Sequence, residues 1–177
     1  MNAETRLPLC VLYIDDSYDD HHLVHRAIER ANLPLRLEPF FTAEEALNYL
    51  HHRSPFDNQF LYPAPDLIIC DYKLATCKAP AFLPVIRGID NSTPILVLSD
   101  FDGAIDVAAA YSAGADHYLL KPTAVEELKV LFAILYTCMR AAPPNFSALS
   151  LLEEYLAPNH VPGLTNWRRR QWVATEG

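Results

Sequence analysis

Five short apolar runs, each ending in a polar residue and each followed by a helical pattern, constrain this chain most. The runs are Leu9 to Ile14, Leu35 to Phe41, Leu67 to Cys70, Pro94 to Leu98 and His117 to Leu120. Near-continuous apolar runs of this length read as strands buried on both faces. The segments between them carry helix signals. Ser17 and the Thr42-Ala43-Glu44-Glu45 box provide caps, and Gly114 provides a stop. Strands alternating with helices imply a parallel sheet with helices on both faces, joined by right-handed crossovers. Pro39 marks the second strand as an edge, because proline cannot donate to a ladder.

Two stretches resist this reading. Arg53 to Pro65 is a proline-containing loop without apolar period. In Tyr72 to Pro84, Pro80 suits a first helical turn, but Pro84 breaks a helix interior. An irregular loop and a short third helix over Leu83 to Gly88 are expected there. The fourth helix is expected over Asp102 to Ser112, and the last runs from its cap at Thr123 to about Arg140.

Bulk properties remove some function classes. The 177 residues are 51% hydrophobic and 20% charged, an ordinary globular balance. The net charge of −8 argues against a binder that gains affinity by neutralising phosphates. Residues 1 to 140 hold 11 Lys/Arg against 19 Asp/Glu, whereas residues 141 to 177 balance three against three. Cys10, Cys70, Cys77 and Cys138 show no metal-ligand or disulfide spacing. No apolar run is long enough to cross a membrane, so a cytoplasmic protein is expected.

The chemistry gathers at the strand ends. The first run leads into Asp15 and Asp16, the third into Asp71, the fourth into Ser99 and the fifth into Lys121. In an open α/β sheet, ligands bind outside the carboxyl ends of the strands. With strand order 2-1-3-4-5, the first and third strands are neighbours, and three carboxylates meet in one crevice. Their repulsion calls for a cation, and Mg²⁺ favours such an oxygen set. Lys121 and Ser99 supply an ammonium and a hydroxyl for a phosphoryl group, and Asp71 is the candidate nucleophile. The plainer reading of Asp71 alone is a cap for the next element.

These pieces resemble the receiver domain of two-component response regulators over about residues 7 to 140. The matching motifs are Tyr-Ile-Asp15-Asp16, Ile-Ile-Cys-Asp71, Val-Leu-Ser99 and Gly114-Ala-Asp-His-Tyr118-Leu-Leu-Lys121-Pro122. The resemblance implies a flavodoxin-like, doubly wound, five-stranded parallel sheet in order 2-1-3-4-5. It implies that Asp71 accepts a phosphoryl group from a sensor histidine kinase or a histidine phosphotransfer protein. Asp16 and Asp71 would bind Mg²⁺ directly, Asp15 through water, and the carbonyl of Lys73 would complete the ligands. Ser99 and Lys121 would hold the phosphoryl group, Tyr118 would rotate inward with it, and the Lys121–Pro122 peptide would be cis. The insertion at Arg53 to Pro65 is similar to that of single-domain regulators associated with bacterial phytochromes. Those lack a DNA-binding domain and commonly form homodimers, so neither a nucleic-acid nor a membrane partner is expected.

The chain also departs from the family pattern. The turn after Asp71 lacks the usual glycine, and Asp100 stands where a small residue usually follows the switch hydroxyl. Asp100 is expected to slow phosphorylation or alter metal affinity. Lys73 is expected to modulate dephosphorylation. His21, His22 and His25 read as solvated helix surface. Residues 141 to 177 read as a separate C-terminal extension. Its amphipathic stretch carries Leu149, Leu152, Tyr155 and Leu156, and an aromatic-basic cluster spans Trp167 to Trp172, suited to interaction or dimerisation. A phosphatase of the haloacid dehalogenase type also places a nucleophilic Asp at a strand end. It needs an acid two residues on, where this chain has Lys73. A degenerate receiver, binding a partner without phosphorylation, is a further alternative.

Overall fold

In the computed structural model, which describes residues 8–141, five strands and five helices alternate. The strands are β1 (Leu9–Ile14), β2 (Leu35–Phe40), β3 (Leu67–Asp71), β4 (Ile95–Ser99) and β5 (His117–Leu120). The helices are α1 (Tyr18–Ala31), α2 (Ala43–Leu50), α3 (Ala79–Ile89), α4 (Ala104–Ser112) and α5 (Val125–Ala141). The strands form one sheet in the order β2-β1-β3-β4-β5, with every neighbouring pair parallel. The fold is therefore the flavodoxin-like one that the sequence implies. Residues 142–177 lie outside the described residues, and with them the expected amphipathic and aromatic-basic segments.

Alternation along the strands builds two cores. Cys10, Leu12, Ile14, Ile68, Cys70, Ile95, Val97 and Tyr118 face α2, α3 and α4. Val11, Tyr13, Leu67, Ile69, Leu96, Leu98 and Leu119 face α1 and α5. In β1, β3 and β4 a side-chain period of two, with both faces covered, leaves no charged position until the strand ends. That is why the polar residues collect at one rim.

Local signals fix the helix starts. Ser17 caps α1, its Oγ accepting from the Asp20 backbone N–H at 3.2 Å. Thr42 caps α2, its Oγ1 accepting from the Glu45 N–H at 3.2 Å and donating to Glu45 Oε2 at 3.2 Å. Asn32 closes α1 in the left-handed region at φ 49°. Helix α4 begins at Ala104 rather than Asp102, with Gly103 at the cap position and no side-chain cap.

Helix α3 corrects the expectation of a short helix. It runs from Ala79 to Ile89, with Pro80 in the first turn and Pro84 inside. Pro84 has no N–H to donate to the Pro80 carbonyl, a loss of roughly 3 kcal/mol in a helix interior. Burial of Phe82, Leu83 and Ile86 against the sheet outweighs it, at about 1.5–3 kcal/mol for each side chain. Tertiary packing overrides the local signal. Pro84 itself faces solvent.

The peptide before Pro122 corrects a second expectation. The cis peptide bond among the described residues is Ser54–Pro55, and Lys121–Pro122 is trans. Trans is the lower-energy isomer of an X–Pro bond. In this geometry the Lys121 N–H donates to the Ser99 carbonyl at 2.8 Å, and its side chain turns into the crevice.

The insertion before β3 is held by aromatic rings. Phe56 packs on Phe40 and Tyr49, and Tyr62 packs on Tyr49 and Phe56, with centroids between 5.1 and 6.0 Å apart. The Tyr49 hydroxyl donates to the Pro63 carbonyl at 2.6 Å.

Replacing Pro84 with Ala restores a helical donor at an exposed position. It also loosens the unfolded chain, at a cost of about 0.4–1 kcal/mol. The restored helix bond outweighs that cost, so P84A should raise the urea midpoint by a net stabilisation of about 1–2 kcal/mol. A lowered midpoint would show that the proline contributes a contact the helix needs.

Candidate functional site

Sheet register assembles the site. Ile14 lies opposite Cys70, so Asp15, one residue past β1, stands beside Asp71 at the tip of β3. Asp71 pairs with Leu98 and Ser99 with Leu120, so Ser99 and Lys121 follow at the next two tips. Backbone bonds continue past the strand ends. Asp15 N–H donates to the Phe40 carbonyl at 3.0 Å and Tyr72 N–H to the Leu98 carbonyl at 2.8 Å.

Lys121 is the centre of the charge arrangement. Its Nζ lies 2.8 Å from Asp15 Oδ2, 3.1 Å from Asp20 Oδ2 and 3.4 Å from Asp71 Oδ1. The side chain is 8% exposed, so water screens these contacts poorly. Burial pushes the ammonium's pKa down, but the bonds and charges of Asp15, Asp71 and Asp20 more than reverse this and raise it. Lys121 is therefore a permanent cation.

The carboxylates are not equally served. Asp15 is 1% exposed and is satisfied from several sides. Its Oδ1 accepts from the Ser17 N–H at 2.9 Å, and its Oδ2 accepts from the Tyr13 hydroxyl at 2.8 Å. Asp16 is more open and accepts from the Ala75 N–H at 2.7 Å, tying β1 to the loop after β3. Asp71 meets the shared ammonium at the longest of the three distances. Burial raises its pKa most, Lys121 opposes this, and Asp15 and Asp100 add repulsion, bringing it to about 6. The candidate nucleophile is thus harder to ionise than an ordinary carboxyl.

Oxygens of Asp15, Asp16 and Asp71 lie within 4.8 Å of one another. Carboxylate oxygens are what a hard divalent cation takes, and a cation there would relieve the repulsion on Asp71. The donor set fits Mg²⁺. Lys73 lies in the adjoining loop, exposed and paired by a backbone bridge with Lys78.

The opposite wall carries a hydroxyl pair. Ser99, 1% exposed, accepts from the Phe101 N–H at 3.1 Å. Tyr118 is already turned inward. It is buried, and its hydroxyl donates to the Phe101 carbonyl at 2.7 Å. Burial raises the Tyr118 pKa, with hydrogen bonding to Ser99 opposing it. Asp100 is exposed beside the crevice, and Pro122 is buried behind Lys121.

The family model for the response regulator receiver domain matches residues 11–133. The chain belongs to the response regulator receiver domain family. PrrA of Mycobacterium tuberculosis, a transcriptional regulatory protein, is 33% identical over 118 residues, which are 67% of this chain and 46% of that protein. The chain thus spans about half the length of the curated relatives it first matches. Response regulator RPA3017, in red light signaling of R. palustris, shares the fold at TM-score 0.69 and 21% identity, covering 76% of this chain and 96% of that one. The Mn²⁺-bound form of response regulator Rcp1 does so at TM-score 0.64 and 22% identity, covering 77% and 98%. At those identities the likeness is one of fold.

Every strand-end residue singled out in the sequence lies at the rim of this receiver sheet, and Asp15, Asp16, Asp71 and Lys121 converge directly. Four participants were not legible. Asp20 reads as a helix-start acid, yet it also holds Lys121. Tyr13 reads as core, yet it donates to Asp15. His21 is buried rather than solvated. Its Nε2–H donates to the Asp15 carbonyl at 2.8 Å, and its ring packs on Tyr13 and Phe41. Its position one turn past the Ser17 cap, facing back over the helix start, is the signal in retrospect. The fourth is Tyr72, bonded to Asp106. No helix among the described residues is long and apolar enough to cross a membrane.

The folded pKa of Asp71, about 6, exceeds the ordinary carboxyl value of 3.8. Ionising it therefore costs metal-free stability as pH rises through that window, by roughly 2–3 kcal/mol. Asp71→Asn should be more stable than the wild type by about 1–3 kcal/mol at pH 7.5 without divalent ions. The gain should vanish below about pH 4, where both carboxyls are neutral. Urea titrations across pH measure it, and equal stabilities at pH 7.5 would refute the charge strain.

Proposed function

We propose that this receiver is a phosphorylation-switched signalling module in which Asp71 takes a phosphoryl group from the phosphohistidine of a sensor histidine kinase or a histidine phosphotransfer protein. The observation that carries this reading is the single ammonium of Lys121 between Asp15 and Asp71, with the Asp71 pKa raised to about 6. A carboxylate so placed gains from any added positive charge or electrophile. One Asp71 oxygen attacks phosphorus, the phosphorus–nitrogen bond breaks, and the imidazole leaves with a proton. An acyl phosphate remains on the chain. The role is that of a switch, with turnover limited to reaction with small phosphodonors and loss of its own phosphoryl group.

In this reading Asp16 and Asp71 would hold Mg²⁺, with Asp15 acting through water and the carbonyl of Lys73 completing the protein ligands. The ion neutralises charge on the phosphoryl oxygens when bound. Lys121 and Ser99 then bind those oxygens, and Lys121 leaves part of its contact with Asp15 and Asp20 to do so. Ser99 exchanges its bond with the Phe101 N–H for the phosphoryl group, which moves the loop from Asp100 to Gly103. That movement carries the signal to the surface of α4, β5 and α5.

The finer placement is among regulators that serve bacterial phytochromes, in the cytoplasm. It is supported by the insertion from Arg53 to Pro65 and by the likeness of fold to a response regulator of red light signaling. Residues 1–140 form the receiver in this reading, and residues 141–177 an extension for homodimer or partner contact.

Incubation with Mg²⁺ and acetyl phosphate, followed by intact mass, tests the reading. One base-labile phosphoryl adduct is expected, absent in Asp71→Asn and absent with chelator. No adduct, even with a cognate kinase, would overturn it in favour of a degenerate receiver. Turnover of phosphate esters would overturn it in favour of a phosphatase. Asp100→Ala removes a negative charge that raises the Asp71 pKa. It should react several-fold faster, on the order of one exposed charge–charge interaction. An unchanged rate would remove Asp100 from the account.

A further inference from the structure

Tyr72 follows Asp71 directly, and its side chain leaves the acceptor crevice for α4. It is buried, and its hydroxyl donates to Asp106 Oδ1 at 2.6 Å. Lys78, at the far end of the same loop, reaches that oxygen at 3.3 Å and lies over the Tyr72 ring, 5.3 Å from its centroid. The edge of the Tyr72 ring meets Tyr118 at 5.8 Å between centroids and 64° between planes. Tyr118 in turn donates to the Phe101 carbonyl, at the entrance to α4.

Helix α4 is sparsely anchored at its start. Ala110 is its one buried residue, Gly103 offers no side-chain cap, and Phe101 and Ile105 are exposed. The apolar contact nearest its start is Val107, only partly buried against the core. The Tyr72–Asp106 bond reinforces that start one residue earlier. Burial and this bond both raise the Tyr72 pKa, and the same bond lowers that of Asp106, so a neutral phenol donates to an ionised carboxylate.

We propose that Tyr72 and Asp106 are positioning residues of the switch: their hydrogen bond clamps the loop after Asp71 to α4 and wedges the Tyr72 ring against Tyr118, holding Tyr118 inward before any phosphoryl group arrives. This rests on the reading of Asp71 as acceptor for its purpose, but not for its existence. The clamp changes what phosphorylation does. Tyr118 has no outward position to leave, so the phosphoryl group acts through Ser99 and the loop from Asp100 to Gly103, and α4 moves when the clamp yields.

The decisive experiment omits any phosphodonor. Tyr72→Phe keeps the ring and deletes the hydroxyl. Hydrogen exchange of the α4 amides from Val107 to Ala113 should then quicken on the order of ten-fold, while β1 and α5 keep their wild-type rates. The Tyr118 ring resonances should broaden or split, reporting an opened pocket. Asp106→Ala should reproduce both effects, and Asp106→Asn, which keeps an acceptor, should restore much of the wild-type behaviour. Unchanged α4 exchange and unchanged Tyr118 resonances in Tyr72→Phe would overturn the proposal. So would faster exchange throughout the domain, which would mark the bond as general support. A protein that shows the clamp but forms no adduct with acetyl phosphate would retain this inference and lose the acceptor reading.

Discussion

One ammonium shared by three carboxylates is the interaction on which the rim of this molecule depends. Lys121 comes from the end of β5, Asp15 from the end of β1, Asp20 from α1 and Asp71 from the end of β3. Its contacts therefore cross the sheet and reach a helix. One positive charge cannot satisfy three negative ones. Asp15 is closest and has two further donors, so it takes the larger share. Asp71 takes the smaller share, too little to offset burial and the repulsion of Asp15 and Asp100, which leave its pKa at about 6. A divalent cation beside Asp15, Asp16 and Asp71 answers that deficit, and an electrophilic phosphorus answers it by forming a bond.

The sheet makes this arrangement rigid. Two packed faces leave no room for charge along β1, β3 and β4, so their charged residues stand at the tips, and register sets the tips side by side. The loop after β3 is tied down at two points. Asp16 holds the Ala75 N–H, and Tyr72 reaches Asp106 on α4. A change of charge at Asp71 thus has two short mechanical routes, one to β1 and one to α4. The second connects the acceptor to the least buried helix of the fold, where a small change in bonding has the largest effect on position.

Much of this was legible from residue order. The strand runs, the caps at Ser17 and Thr42 and the edge proline at Pro39 are local signals, and local structure follows them. The rim residues were legible because the strand ends and the sheet order together define neighbours. What escaped depends on reach across the fold. Pro84 breaks a local rule, yet α3 persists because Phe82, Leu83 and Ile86 are buried. Asp20 looks like an ordinary first-turn acid until Lys121 is seen to arrive from β5. His21 looks like helix surface until Phe41 and Tyr13 are seen to cover it. Tyr72 and Asp106 are 34 residues apart, on elements whose contact no sequence period announces.

The central claim is that Asp71 carries a charge the protein alone does not neutralise and a divalent cation does. Calorimetric Mg²⁺ titration in buffers of different ionisation enthalpy measures it through the protons released on binding. Release should be substantial at about pH 6, where Asp71 is half protonated, and close to zero at about pH 8. It should be absent from Asp71→Asn at either pH. Proton release that is the same at both pH values, or that survives in Asp71→Asn, would contradict the account.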